Sequence, residues 1–269
     1  MRRHLFGLGV AAAVTLPRLV AANPRPLPFS YPYQTLSEDE AEIEQYVDMT
    51  PVRAVPVATG EPAWINIYRL QTEFEYGITD RLELGLYVQY VPSASDAWNS
   101  VPSFPGGNGM KQRLRLRLAE EGEWPVDIAL YGEVCELENE LELEAKIILQ
   151  KRFGRARAIV NLWGEREFYY DGRGDWVIHP TAGITYEVTP TFHPGVEYWM
   201  RAEFPDNKPP QRSFNDGPHH FIGPAVMLSF GKLWWTTSVY WRTNDANRTV
   251  VVGDNAGHVW ARTVIGISL

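Results

Sequence analysis

The chain has one cysteine, no long apolar run and no surplus of positive charge, and each absence removes a class of protein. Cys135 stands alone, so no intrachain disulfide forms and a small stapled secreted domain is excluded. No stretch of about 18 apolar residues is available to cross a bilayer as a helix. The formal net charge is −8, and an acidic chain lacks the basic footprint that nucleic-acid binding requires. No nucleophile elbow, zinc-ligand spacing or phosphate-binding loop occurs, so no catalytic residue, metal or cofactor is expected.

What is present begins at the N-terminus. Met1-Arg2-Arg3 is basic, Leu5 to Leu16 is apolar, and Val20-Ala21-Ala22 offers a small-residue cleavage site before Asn23. These are the three parts of a secretory signal peptide over residues 1–22. Losing Arg2, Arg3 and Arg18 with it takes the net charge from −8 to −11. No cysteine follows the apolar run, so lipid attachment is not indicated. Residues 23–40, Pro-rich and then acidic, read as a flexible periplasmic leader.

From Ala41 to Leu269 the pattern is alternation. In Leu82–Val91 the residues Leu82, Leu84, Leu86, Val88 and Tyr90 share one face, while Glu83, Gly85, Tyr87 and Gln89 share the other. A period of two is a strand with one apolar and one polar face. The same reading predicts strands at 41–54, 64–76, 111–119, 126–136, 140–150, 155–168, 176–188, 192–204, 219–230, 233–243 and 258–269. Short turns follow Tyr76, Ala119, Gln150, Val188 and Phe230; longer polar connections include 92–110, 205–218 and 244–257. Pro180, Pro194 and Pro224 each remove a ladder donor, and bulges or strand starts are expected nearby.

Twelve strands with short turns at one end and long loops at the other predict an all-β, closed antiparallel transmembrane β-barrel over 41–269, in the outer membrane of a Gram-negative bacterium. Outward aromatics fall at two levels. Tyr76, Tyr186, Phe192 and Phe230 lie at the short-turn rim, and Trp64, Tyr90, Trp176, Phe204 and Trp241 at the long-loop rim. Two aromatic belts suit a bilayer, whereas a secreted sandwich does not require them. Its partners on this reading are outer-membrane lipid, the barrel-assembly machinery and an unidentified small solute.

The polar face then lines the lumen. Arg113, Arg115 and Arg117 form a row, since three arginines facing lipid would each cost about 2–4 kcal/mol near the midplane. Around them lie Glu73, Glu75, Glu83, Asp127, Glu133, Glu142, Glu144, Lys146, Arg157, Glu165, Glu197 and Arg201. Glu42, Glu44, Asp48, His179, Glu187, His193, Glu203, Arg242 and Arg262 share the inward parity, with Trp163, Trp199, Tyr240 and Trp260 as interior aromatics. These charges either select solutes in a polar conduit or pair with one another and fill a narrow barrel.

Two hairpins carry a family resemblance. Phe74-Glu75-Tyr76-Gly77-Ile78-Thr79-Asp80-Arg81-Leu82-Glu83-Leu84-Gly85 resembles a hairpin of outer-membrane barrels grouped with the putative transporter of the MetA-pathway of phenol degradation. The stretch from Thr185 to Tyr198 resembles a second copy. The resemblance implies an outer-membrane barrel and small-molecule passage, and brings no catalytic residues. The C-terminal alternation Ala261, Thr263, Ile265, Ile267, Leu269 is similar to an assembly signal, with Leu269 where an aromatic is usual. A passive channel or transporter-like pore is therefore expected. The alternatives are a structural or adhesive barrel acting through loops 92–110 and 205–218, and a lipid hydrolase. For the hydrolase, His179 and His193 sit at opposite heights, Ser229, Ser238 and Ser268 are scattered, and His219-His220 with Asp216 is a weak cue.

Overall fold

Strands that expose one apolar and one polar face are stable in lipid only when every edge is paired, and this chain closes on itself. The computed structural model describes residues 23–55, 60–90, 108–206, 217–244, 252 and 256–269. The signal peptide and most of the three long loops lie outside the described residues. Among the described residues there are thirteen strands: β1 (Ala41–Ala54), β2 (Ala63–Thr79), β3 (Leu82–Tyr90), β4 (Gly109–Arg117), β5 (Asp127–Leu137), β6 (Glu140–Phe153), β7 (Ala156–Tyr169), β8 (Gly174–Ile178), β9 (Thr181–Tyr186), β10 (Phe192–Pro205), β11 (His219–Phe230), β12 (Leu233–Arg242) and β13 (Val259–Ser268). Antiparallel pairing runs round the sheet, and β13 returns to β1 from Glu42↔Ser268 to Met49↔Ala261. The Leu269 amide donates to the Ala41 carbonyl at 2.9 Å and seals the seam.

The strand expected at 176–188 is two, β8 and β9, because Pro180 has no N–H to give the ladder. They still form one stave. Gly164↔Ile178 and Asn161↔Thr181 keep the same offset on β7, as Ala202↔Ile178 and Trp199↔Thr181 do on β10. Two bonds flank the gap, from the His179 amide to the Trp163 carbonyl and from the Met200 amide to the Pro180 carbonyl. Thirteen strands thus make the twelve staves that the alternation predicts.

The other prolines divide. Pro194 lies near the start of β10, as expected. Pro224 is inside β11 and makes no bulge: it pairs with Val196, and the ladder to β12 lapses at Gly223–Pro224 but resumes in the same register. Among the described pairings the register shifts at Gly77/Thr79.

The outer face is apolar, with Leu86, Leu114, Leu130, Ile147, Leu162 and Ile265 exposed around the wall. Trp64, Trp176 and Trp241 are exposed at the long-loop rim, and Tyr186, Phe192 and Phe230 at the short-turn rim. Phe153 joins the short-turn belt unannounced, because β6 runs three residues further than expected. An apolar belt of this extent facing water would be an aggregation surface; between two aromatic rims it matches a bilayer.

The interior holds the main correction. The flexible periplasmic leader expected at 23–40 instead enters the barrel, and residues 25–36 lie within the lumen while Glu38 and Asp39 are exposed. Leu27, Phe29, Tyr31, Tyr33 and Leu36 are all buried, as are Arg25 and Ser30. The wall makes room for them. Leu27 packs on Ile159 and Ala225 and lies where a Cβ on Gly183 would sit, and Tyr31 and Tyr33 pack with Ala129, Tyr131 and Ile148.

Candidate functional site

The lumen divides along the barrel axis, and the short-turn half is solid. β3 and β4 pair so that Glu83 faces Arg115 and Gly85 faces Arg113, while β2 brings Glu73 and Glu75 alongside. Arg113, 1 % exposed, donates to Glu73 at 2.8 Å, Glu83 at 2.6 Å, the Tyr87 hydroxyl at 2.6 Å, and Glu75. A side chain on Gly85 would collide with this guanidinium and with Glu73. Arg115 donates to both oxygens of Glu83 at 2.7 and 2.9 Å. Arg117, nearer the turn, reaches Glu120 at 3.4 Å and the Asp80 carbonyl.

The inner segment completes the filling. A proline-rich chain cannot bond to itself as helix or sheet, so its amides need partners, and inward wall side chains supply them. Glu197 accepts the Phe29 amide at 3.2 Å and the Ser30 amide at 2.6 Å, and also the Tyr240 hydroxyl. Asn161 exchanges two bonds with Tyr31, accepting its amide at 2.7 Å and donating to its carbonyl at 3.1 Å. Gln150 accepts the Tyr33 amide and Glu83 the Leu36 amide. The segment is an arch. It starts beside Glu42 at the barrel seam, rises to Phe29 and Tyr31 at the level of Glu197 and Asn161, and descends to Gly77.

Above the arch lies a cavity of about 400 Å³. Phe29 and Tyr31 form its floor, and it reaches Glu203, His219 and Ala256 at the long-loop end. Trp163, Trp199 and Trp260 give it aromatic walls. Ion pairs bind most of its charges: Lys111 to Glu133 at 3.0 Å, Lys146 to Glu144 at 2.5 Å, Arg262 to Asp48 at 2.6 Å. Arg201 holds Glu165, Glu167 and Glu203 at 2.8–3.0 Å.

Most of the expected lumen residues therefore fall into two groups. Glu133, Glu142, Glu144, Lys146, Glu165 and Arg201 line the cavity. Glu73, Glu75, Glu83, Arg113 and Arg115 face inward but are locked in the solid half, away from any open path. Asp127 caps a turn by accepting the Gly122 amide at 2.7 Å, and Arg157 lies beside Arg152 and Thr185 near the short-turn rim. Glu197 is a fastener of the arch. Arg69 and Lys111 were passed over, although each shares the parity of residues that were named, Glu73 and Arg113.

Among the described residues the serines and histidines do not assemble as a hydrolase would need. Ser238 donates to the Pro224 carbonyl and Ser268 to Glu42. His193 lies beside the Pro190 carbonyl, His179 stacks on Trp163, and His220 faces outward against Tyr198. Asp216 lies outside the described residues.

No family model matches the chain, and no curated protein does. Solved structures similar to it include the NanC porin, at 10 % identity and a TM-score of 0.49 over 85 % of this chain and 98 % of that one. An anion-selective porin from Comamonas acidovorans has 10 % identity and a TM-score of 0.37, over 85 % and 99 %. OmpT of Vibrio cholerae has 10 % identity and a TM-score of 0.38, over 88 % and 100 %. The chain's own closed register, apolar belt and paired aromatic rims make it an outer-membrane β-barrel.

Proposed function

We propose that the barrel passes small solutes across the outer membrane and that its own residues 23–40 hold it shut at the periplasmic end. The observation that carries this reading is the cavity. It is polar and aromatic, it lies inside the barrel wall, and it stops at Phe29 and Tyr31 of a segment that is no part of that wall. Short turns belong to the periplasmic side of such barrels, which puts the arch there and the cavity towards the exterior. Passage then needs the arch to shift, while the wall, fully paired, stays as it is. Nothing in this reading calls for a catalytic step.

Planar-bilayer recording tests it. The refolded mature chain is expected to be silent or to open briefly, whereas a chain lacking residues 23–34 should conduct steadily. Heat-modifiable migration on a gel establishes that each barrel is folded. A folded, deleted barrel that passes no current would rule out a solute path.

A further inference from the structure

Four donors on the cavity wall are buried without a hydrogen-bond partner, beside the His179 ring nitrogens and a Glu144 oxygen that is ion-paired to Lys146. Asp48 faces two cations across the ladder, Arg69 on β2 and Arg262 on β13. Arg262 takes both of its oxygens, each at 2.6 Å. Arg69 is left against the Trp260 ring at 4.9 Å, with one terminal nitrogen buried and without a hydrogen-bond partner. The indole nitrogens of Trp163, Trp199 and Trp260 are likewise buried and unpartnered, and these side chains line the same space. Guanidinium and indole N–H groups only donate, and a buried donor left unmade is costly. These four donors lack an acceptor.

The floor shows the shape of what fits beside it. The Phe29 ring lies 4.7 Å from Trp199 and 5.3 Å from Tyr240, with the Arg262 guanidinium 3.6 Å from its centroid. The chain has thus placed one ring of its own between aromatic faces and a cation. The remaining volume, about 400 Å³, lies in the range of about 300–1,000 Å³ typical of small-ligand sites.

We infer that the cavity binds a small ring-bearing organic monoanion, its ring against Trp199 and Trp260 and its carboxylate on Arg69. The inference deepens the solute-passage reading by naming the solute class, yet binding is measurable without passage. Aromatic carboxylates and sugar acids share this chemistry, a flat or pyranose ring carrying one carboxylate.

Tryptophan fluorescence and calorimetry on the refolded mature chain, with benzoate, glucuronate and neutral glucose, test it. Saturable binding of at least one anion is expected, with glucose much weaker. Benzoate alone points to aromatic acids, glucuronate alone to sugar acids. Arg69→Gln should weaken the anion by about tenfold, the loss of one charge-assisted contact, while Arg69→Lys retains part of it. Phe29→Ala, which vacates a ring position, should tighten it. Equal binding of glucose, no binding of either anion, or unchanged affinity in a folded Arg69→Gln barrel overturns the proposal. Steady conductance of the deleted barrel without anion binding would sink this inference and leave the passage reading standing. Anion binding with no conductance would do the reverse.

Discussion

Replacing Glu197 by alanine is expected to unseat the inner segment and turn a closed barrel into a conducting one. Glu197 is completely buried and gathers three donors: the amides of Phe29 and Ser30 and the hydroxyl of Tyr240. Alanine leaves all three without an acceptor, and each buried orphan costs about 1–3 kcal/mol. Other fasteners at the crown of the arch are the Tyr31–Asn161 pair, the 3.1 Å bond between the Tyr31 and Tyr87 hydroxyls and the 2.8 Å bond from Ser30 to Thr181. Tyr240 belongs to the wall, so the two arch amides set the balance; at the low end of that range they cost about 2 kcal/mol together, which raises the unseated fraction roughly thirtyfold. The wall does not share the damage, because β10 stays bound to β9 and β11 through backbone pairs on both sides. Heat-modifiable migration should therefore be unchanged while channel openings become frequent. Glu197→Gln keeps one acceptor oxygen and should remain mostly closed. A Glu197→Ala barrel as silent as the parent would show that the arch is not held from this residue.

Parity made the wall legible. Once Leu82, Leu84 and Leu86 are on one face and Glu83 and Gly85 on the other, each neighbouring strand inherits a side, and the lumen residues follow. The closure of β1 on β13 was readable for the same reason, since an even number of staves needs an upgoing strand before Trp64. The inner segment was not, because a chain without periodic backbone bonds looks like a linker. Two signals for it were nevertheless in the residues. Leu27, Phe29, Tyr31 and Tyr33 alternate as a strand's apolar face does, and Ile148, Ile159 and Val264 put apolar side chains at inward positions where a water-filled lumen wants polar ones. Together they say that something apolar occupies the lumen. The arginine row shows the limit of parity. It places Arg113 inside, but whether an inward cation meets water or three carboxylates depends on how tightly the lumen is packed.

That difference makes Arg113→Ala the harshest single substitution expected here. The guanidinium is enclosed by Glu73, Glu75 and Glu83 and by the Tyr87 hydroxyl, all buried. Removing it leaves three carboxylates facing one another with two near cations, Arg115 bound to Glu83 and Arg25 at 3.9 Å from Glu73. Breaking a buried pair from one side costs about 3–5 kcal/mol, because the partner charge stays buried without compensation. The folded, heat-modifiable band should disappear at lower urea than for the parent. Arg113→Lys should recover part of the loss, one ammonium replacing a fork that reaches several acceptors. Adding Glu75→Gln to Arg113→Ala should restore stability, since it removes one of the repelling charges; the same change in the parent should do no such thing. Arg117→Ala is the control from the same strand. Its pair with Glu120 is 3.4 Å long and the glutamate is exposed, so that pair is worth less than about 1 kcal/mol, and losing the bond to the Asp80 carbonyl adds about 1–2 kcal/mol, still short of the loss at Arg113. If Arg113→Ala instead folds as stably as the parent and changes only which ions pass, the row faces a conduit, and the solid half of the lumen is open in solution.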